Sequence, residues 1–451
     1  MKRKLMMSSL AVVLGTGVIA GCGSQEAAST NTPAASGAPS ETKAPAGAKV
    51  KLSLWHNFTG EDLRAKAMRG IIEQYQKDHP NVDLEIQAIP PDGYKARLKT
   101  VAAGNEMPDV FIMQPGTITR EFVSGELIQP VNDLLDSKSE WKNGFMPNAF
   151  DDFTVDGKTY SAPMGLSPTS ILYYNKKIFE QNGLKPPTTW DELLQAVDTL
   201  KKKNLIPIAL GNKANWVAQS CIISSLGDRV TGSDWFRKAV KQDGAKFTDP
   251  EFVKALTYLQ DLGKAGAFQE GFNSIDGTQM EQLFIQGKAA MMIEGGWGVT
   301  NLAGNSSKEF LDSVGATILP SIPGGKGDPQ STSSAVGSGL GLSKKVAAGD
   351  QKKAAHDLIY AMSGPEAQKK TLESNNLVSY KVDLDKSKVS SLFAEVYELM
   401  SRVKRTPVYD GYLTSAGTDA VNNGLQELLL GAKPEDVAKK IQDAQAKALG
   451  K

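Results

Sequence analysis

From Lys49 onward the chain moves between two hydrophobic rhythms. Val50, Leu52 and Leu54 alternate with polar positions, the two-residue period of a strand with one buried face. Leu63, Ala67, Ile71 and Tyr75 then recur every four residues along one helical face, and His79-Pro80 stops that helix before Val82, Leu84 and Ile86 resume the alternation. Thr59 to Asp62 reads as a capping box with Asp in the place of Glu, so the helix is expected to open there. The three segments make a βαβ unit. A helix over Tyr94 to Ala103 leads to Val110-Phe111-Ile112-Met113, an apolar run that fits a strand covered on both faces, and hence a parallel sheet.

The same grammar returns further along. Thr189 to Glu192 is a full capping box ahead of Leu193, Leu194, Val197 and Leu200, and Ile206 to Leu210 returns as a strand. Asp249-Pro250-Glu251 places a cap and an N-terminal proline ahead of Phe252, Leu256 and Leu259. Strands are expected near Ala289 to Ile293, Ala316 to Leu319 and Ser338 to Leu342. The last third reads as helices over Gln351 to Met362, Val389 to Arg402, Ser415 to Leu430 and Pro434 to Leu449. No repeat of solenoid period is visible.

The first residues follow neither rhythm. Lys2, Arg3 and Lys4 precede an apolar run from Leu5 to Ala20, and Ile19-Ala20-Gly21-Cys22 sets small residues directly before a cysteine. This pattern predicts a lipoprotein signal peptide over 1–21, cleaved before a lipidated Cys22. An uncleaved membrane span is disfavoured, because the run is short of the ~20 apolar residues a span needs and is broken by Ser8, Ser9, Gly15, Thr16 and Gly17. Residues 23–48 hold Ser, Thr, Ala, Pro, Gly, Glu and Gln with no large apolar side chain, so 22–48 is expected to be a disordered tether with a mean reach of roughly 25 to 30 Å. The protein is thus placed outside the cytoplasm, on the outer face of the cytoplasmic membrane.

Composition narrows the partners. Fifty-one basic against 50 acidic residues leave a net charge of +1, which gives no bulk field for nucleic acid or anionic lipid. Of the two cysteines, only Cys221 remains as a thiol once Cys22 is lipidated, and it reads as a buried small hydrophobe. Residues 49–451 exceed one ordinary core and call for two domains.

Leu54-Trp55-His56, Pro108-Asp109-Val110, Tyr173-Tyr174-Asn175-Lys176, Pro187-Thr188-Thr189-Trp190-Asp191-Glu192-Leu193 and Gln286-Gly287-Lys288-Ala289-Ala290-Met291 stand in an order that resembles the solute-binding proteins of sugar ABC importers, the broad family containing maltose-binding protein. The resemblance implies an α/β, two-lobe periplasmic-binding-protein-like fold with a ligand cleft between lobes joined by crossing hinge strands. By position, lobe I would hold 49–158 and 318–377, and lobe II 159–317 and 378–451. Asp156-Gly157 and Thr317-Ile318-Leu319-Pro320, followed by a Gly-rich turn at Gly324 to Gly327, are the expected hinge points. The implied function is capture of a mono- or oligosaccharide and its delivery to permease subunits served by a separate ATPase. A monomer without enzymatic activity, cofactor or metal is expected, and a non-sugar solute remains an alternative ligand.

A sugar presents apolar ring faces to aromatic side chains and hydroxyls to fixed polar groups, and open α/β sheets bind ligands beyond the carboxyl ends of their strands. Six tryptophans offer aromatic faces. Trp190 is assigned to packing at a helix start, and Trp141 and Trp235 also to packing. Trp297 follows Glu294-Gly295-Gly296 at a strand end, where glycines let backbone approach a ligand, and it is the main stacking candidate, helped by the family's aromatic at that place. Strand-end logic adds Trp55, His56 and Asn57, then Gln114, with Asp109 drawn from the resemblance as a hydroxyl acceptor. Ser167, Ser170 and Trp216 belong to the second half, and Glu294, Ser338, Tyr409 and Tyr412 complete the ligand-binding set.

Other chemistries find less support. Asp109 and Glu294 could be cast as the paired carboxylates of a surface glycoside hydrolase, but neither sits in a recognisable motif. His56, His79 and His356 form no metal-binding spacing, and Gly324-Gly325-Lys326-Gly327 lacks the phosphate-loop pattern. A surface adhesin is disfavoured by tryptophans near strand ends.

Overall fold

The computed structural model describes residues 49–146 and 149–451. The expected signal peptide, Cys22 and tether lie outside the described residues. In chain order the strands are β1 Val50–His56, β2 Val82–Ala88, β3 Val110–Met113, β4 Thr154–Val155, β5 Lys158–Thr159, β6 Leu166–Pro168, β7 Ile171–Asn175, β8 Ile206–Ala209, β9 Ala289–Glu294, β10 Val314–Thr317, β11 Ser331–Val336, β12 Gly339–Leu342 and β13 Lys404–Thr406.

They form two four-stranded sheets and two smaller ones. The first runs β12-β3-β1-β2, and the second β10-β7-β9-β8. β1 pairs parallel with β2 and β3, as the apolar pattern predicts, whereas β12 joins β3 antiparallel. In the second sheet β8 runs parallel to β9 while β7 and β10 pair antiparallel. β7 and β12 oppose their neighbours because each follows directly from a strand of a third sheet, β6 and β11, with no crossover helix between, whereas β10 returns from β9 through helices and shares its direction. A smaller sheet, β13-β11-β6, stands on the connecting segments.

The expected helices form, with instructive shifts. Asp62, not Thr59, caps the first helix, Leu63–Asp78, by accepting from Ala65 N at 2.9 Å. That helix buries Ala65, Met68, Ile71, Ile72 and Tyr75, so the inward stripe turns away from Leu63 and Ala67 after the first turn. Thr189 and Glu192 make the reciprocal capping box expected of them. The strand expected at Ala316 to Leu319 is β10, two residues earlier, because Pro320 lacks the N–H a ladder needs.

Two of the links carry identifiable turn chemistry. Asp156 and Gly157 have φ of 48° and 76°, the left-handed pair that closes the two-residue β4–β5 hairpin. The Gly324 to Gly327 turn is not a loose hinge: a Cβ on Gly325 or Gly327 would stand 2.3 or 2.0 Å from the carbonyl oxygens of Arg229 and Asp228. The buried Arg229 guanidinium also donates to the carbonyls of Leu319 and Asp328, at 3.1 and 2.8 Å, and to the hydroxyl of Ser331. One side chain thus clamps the segment between β10 and β11 to the helix Ser224–Thr231.

Buried apolar residues form two clusters. One joins Leu52, Leu54, Val110 to Met113, Leu340 and Leu342 of the first sheet to the helices over it, and extends to Met280, Phe284, Val299 and Leu302. The other, around Leu193, Ile208, Leu256, Met291, Ile293 and Leu425, fills the second half. Cys221 is a free, buried thiol in a π-helical stretch, Ala218–Ile223, that periodicity does not reveal.

Candidate ligand site

The carboxyl ends of the parallel strands gather the candidate residues into two edges. At the first sheet, β1 ends in Trp55-His56-Asn57 and β3 ends ahead of Gln114. Antiparallel β12 begins beside that end, with Gly339 opposite Met113, so Ser338 arrives next to Gln114 and donates its hydroxyl to Oε1 at 2.9 Å. Gln114 and Ser338, 224 residues apart in sequence, therefore form one polar unit at this edge.

At the second sheet, β8 leads toward Asn215-Trp216 and β9 ends at Glu294. Antiparallel β7 pairs its first residue, Ile171, with Glu294, bringing Ser167 and Ser170 to the same edge. Gly296 donates to the carbonyl of Pro168 at 2.8 Å, and a Cβ there would meet the proline ring at 3.0 Å, so glycine is what permits the approach. The chain then turns into a helix, Trp297–Asn305, to which the sequence reading assigned no element. Trp297 occupies its first position, half-buried, with its ring centroid 5.8 Å from that of the half-buried Trp216 at a 60° tilt. Two indoles, from the segments that follow β8 and β9, thus lie together.

Five candidates are buried and engaged within the protein. Asp109 lies at the amino end of β3, the wrong end for the cleft, and its Oδ2 accepts from both the backbone N and the hydroxyl of Ser53 at 2.8 Å. The expected hydroxyl acceptor is therefore a tie between β3 and β1. His56 stacks on Phe58, and its Nδ1 accepts from Phe58 N at 3.1 Å; burial, then the nearby Arg69 charge, hold it below the usual histidine range. Ser170 donates to the carbonyl of Cys221 at 2.6 Å. Tyr409 packs face to face on Phe236 with centroids 4.0 Å apart, a core role in place of the expected stacking platform. Glu294 is buried and accepts the indole N–H of Trp297 at 2.9 Å.

The remaining candidates keep partial exposure. Trp55 is half-buried with the Arg97 guanidinium 5.6 Å from its ring, so one face already has a cation over it. Asn57 and Ser167 are half-exposed. Tyr412 reaches Asp152 Oδ1 at 3.4 Å, and Arg237 lies 5.9 Å from its ring. Trp190, Trp141 and Trp235 pack internally, against Tyr258, Phe145 with Tyr360, and Phe247 with Phe252.

One polar cluster is absent from the sequence reading. Asp152, which burial pushes above the usual carboxylate range against the opposing charge of Arg120, sits beside Tyr412, and its carbonyl accepts from Gly116 N at 2.7 Å. Arg120 donates to the carbonyl of Gly411 at 2.8 Å, and Thr117 to that of Leu413 at 2.7 Å. This cluster ties the loop around Tyr412 to the helix Thr117–Ser124 that follows Gln114. Asp152 carried no sequence signal, since its neighbours arrive from positions far along the chain.

Among the described residues no helix is long and apolar enough to cross a membrane, and no group of three or more metal-type ligands occurs. Surface pockets of about 190 and 430 Å³ lie elsewhere, lined by residues between Lys369 and Val389 and between Glu427 and Asp443.

Residues 61–369 match the model of the bacterial extracellular solute-binding proteins. A multiple sugar-binding protein of Streptococcus mutans is 24% identical over 51% of this chain and 54% of its own length. A melibiose/raffinose/stachyose-binding protein of Bacillus subtilis is 23% identical over 87% of this chain and 89% of its own. An ABC transporter extracellular-binding protein of Pyrococcus horikoshii is 28% identical over 51% of this chain, and the match spans only 53% of that relative. Among solved structures, a chitin oligosaccharide binding protein superposes with a TM-score of 0.81 at 27% identity, covering 88% of this chain and 99% of that one. A structure from work on xylan utilization by Caldanaerobius polysaccharolyticus gives 0.80 at 29% identity, covering 87% and 99%.

Proposed function

Given that the chain belongs to the bacterial extracellular solute-binding protein family, we propose that it captures a carbohydrate between two lobes outside the cytoplasm and delivers it to the membrane subunits of an ABC importer. The observation that carries the sugar reading is the Trp216–Trp297 pair, two half-buried indoles at one sheet edge. Such a surface suits the apolar faces of pyranose rings, while Gln114 with Ser338 offers hydroxyl partners at the other edge. Relatives whose names include melibiose, raffinose, stachyose and chitin oligosaccharides support the same class of ligand. The working set is Trp216, Trp297, Gln114 and Ser338, with Trp55, Asn57, Ser167 and Tyr412 around them.

The lobes in this reading are 49–158 with 318–377 and 159–317 with 378–451, consistent with β12 joining the first sheet and β10 the second. Each edge supplies part of the site, so ligand favours the closed arrangement by its differential contacts. We read the protein as a non-catalytic monomer: Asp109 and Glu294 are both buried, the first tied to Ser53 and the second bonded to Trp297, a poor arrangement for the paired carboxylates of a glycosidase. Cys22 serves as the lipid anchor, and Cys22→Ser should release the protein while ligand binding persists, as metabolic lipid labelling would report.

Calorimetric titration of residues 49–451 with raffinose, stachyose, xylotriose and chitotriose tests the ligand class. Saturable binding of at least one, with a smaller radius of gyration in solution scattering, is expected. Flat titrations throughout, with binding of a polyamine or an amino acid instead, would remove the sugar reading.

A further inference from the structure

The indole N–H of Trp297 is held by an arrangement that electrostatics alone would disfavour. Glu294, 5% exposed at the end of β9, accepts the Trp297 indole N–H through Oε1. Its other oxygen, Oε2, is buried with no donor. That oxygen lies under the backbone of Gly298, where a Cβ would stand 2.8 Å away, so the absence of a side chain at 298 is what lets the carboxyl sit there. Its neighbour is a second carboxyl: Glu281, 3% exposed on the helix Gly277–Ile285 along β9. Glu281 in turn accepts from Asn301 Nδ2 at 2.5 Å.

Trp297 and Asn301 are four residues apart, on one face of the same helix. A chain of groups therefore runs from the indole of Trp297 through Glu294 and Glu281 to the amide of Asn301, with its two outer contacts supplied by neutral donors. The middle contact lacks a hydrogen. Two ionised carboxylates can only accept, so each would face the other without a donor, whereas one proton supplies the missing bond and removes the like-charge contact. Burial pushes both above the usual carboxylate range; the charge of Glu281 raises Glu294 further, while the contacts with Asn301 and Glu294 draw Glu281 part of the way back. The groups around the pair reinforce this: Asp62 and Asp276 bear on Glu281 with the same sign, and Tyr173 and Cys221, both buried, face Glu294 as neutral groups.

We infer that Glu281 and Glu294 share a single proton and act as positioning residues, fixing the Trp297 indole and the first turn of its helix in the orientation that presents an aromatic face to ligand. The ligand half of this inference rests on the sugar-binding reading; the proton-held indole does not. Loss of the proton leaves two buried anions side by side, and relief comes from one swinging out, which frees either Trp297 or Asn301 from its acceptor.

The first test needs no ligand. In ¹H–¹⁵N spectra of the protein from pH 5 to 9, the Trp297 indole signal, assigned by its loss in Trp297→Phe, should move with one midpoint above the ordinary carboxylate range. In Glu281→Gln the introduced amide donates to Glu294 in place of the shared proton, so the signal should hold its low-pH position throughout. An indole signal unmoved in the unaltered protein, or the same midpoint surviving in Glu281→Gln, overturns the shared proton. The second test measures affinity for raffinose, xylotriose and chitotriose at pH 5.5 and 8.5. At least fivefold weaker binding at pH 8.5, abolished in Glu281→Gln, is expected for whichever sugar binds. If none binds, the sugar reading falls and the indole titration still decides the proton. If a sugar binds equally at both pH values while the indole titrates, the pair does not position the platform and the inference fails.

Discussion

Trp55 and Trp297 occupy equivalent places, each at or just beyond the carboxyl end of a buried strand, yet their surroundings differ. Trp55 remains within β1; Tyr94 donates to its carbonyl at 3.1 Å, and Arg97 stands over its ring. Trp297 lies beyond its strand, past two glycines and on the first turn of a helix, where its N–H is held by the buried Glu294 and its ring meets Trp216. The first edge is a polar lattice closed by its own bonds, and the second is an aromatic surface steered by buried acids. Position at a strand end therefore does not by itself distinguish the two rings; the groups that already engage them do.

The strongest way to break this comparison is to truncate both rings. Trp297→Ala should weaken sugar binding by about 1 to 3 kcal/mol, roughly 5- to 150-fold, and should also lower the melting temperature without ligand, because the buried Glu294 carboxyl loses its donor. Trp55→Ala should lose stability through packing alone, while changing affinity less than Trp297→Ala. Calorimetric titrations and thermal melts on the same samples measure both quantities. Equal affinity losses would mean that the two strand ends contribute alike and that Arg97 leaves the Trp55 face available.

Next in size is Asp109, whose one oxygen serves two donors of Ser53. Asp109→Ala strands a backbone N–H between β1 and β3 and should cost about 1 to 3 kcal/mol of unfolding free energy in urea titrations, with affinity unchanged in the folded fraction. A loss of affinity at unaltered stability would return Asp109 to the ligand. Smaller still, Gln114→Ala should weaken sugar binding by about 0.5 to 1.5 kcal/mol, the range of a single neutral hydrogen bond, and Ser338→Ala by no more. If both variants bind as the parent does, the polar unit at the first edge serves the fold alone.

These contrasts mark where the sequence is legible. Alternation and four-residue spacing locate the strands and most helices, because burial of one face is a local demand visible in a short window. They do not reveal the antiparallel entries of β7 and β12, which depend on the side from which the chain returns, nor the π-helical stretch around Cys221. Among the candidates, the rule that ligands sit beyond strand ends singles out Trp297 and Gln114, and the structure leaves each at a sheet edge beside another candidate, Trp216 and Ser338. Asp109, Ser170 and Tyr409 mislead because polar or aromatic character is visible in sequence, whereas the partners that engage it, Ser53, Cys221 and Phe236, are distant in the chain. Asp152 and Glu281 are missed for the same reason.

The finest difference between the edges is the direction in which they titrate. Burial, aided by Arg69, holds His56 below its ordinary value of 6.5. The unfolded chain therefore takes up that proton first as pH falls, and the stability contributed by a neutral His56 is present above about 6.5 and lost as pH drops toward its folded value. The Glu281–Glu294 pair is raised above the ordinary 4.5, so its contribution is full below that value and is lost as pH rises through the folded range. Thermal melts across pH 4 to 9 should show an acid limb flattened by His56→Gln and an alkaline limb flattened by Glu281→Gln. His356, also kept below its ordinary value by burial, supplies acid slope that His56→Gln leaves in place. Should His56→Gln flatten the alkaline limb instead, the histidine would be charged in the folded protein, and the first edge would have to be redrawn around a cation beside Phe58.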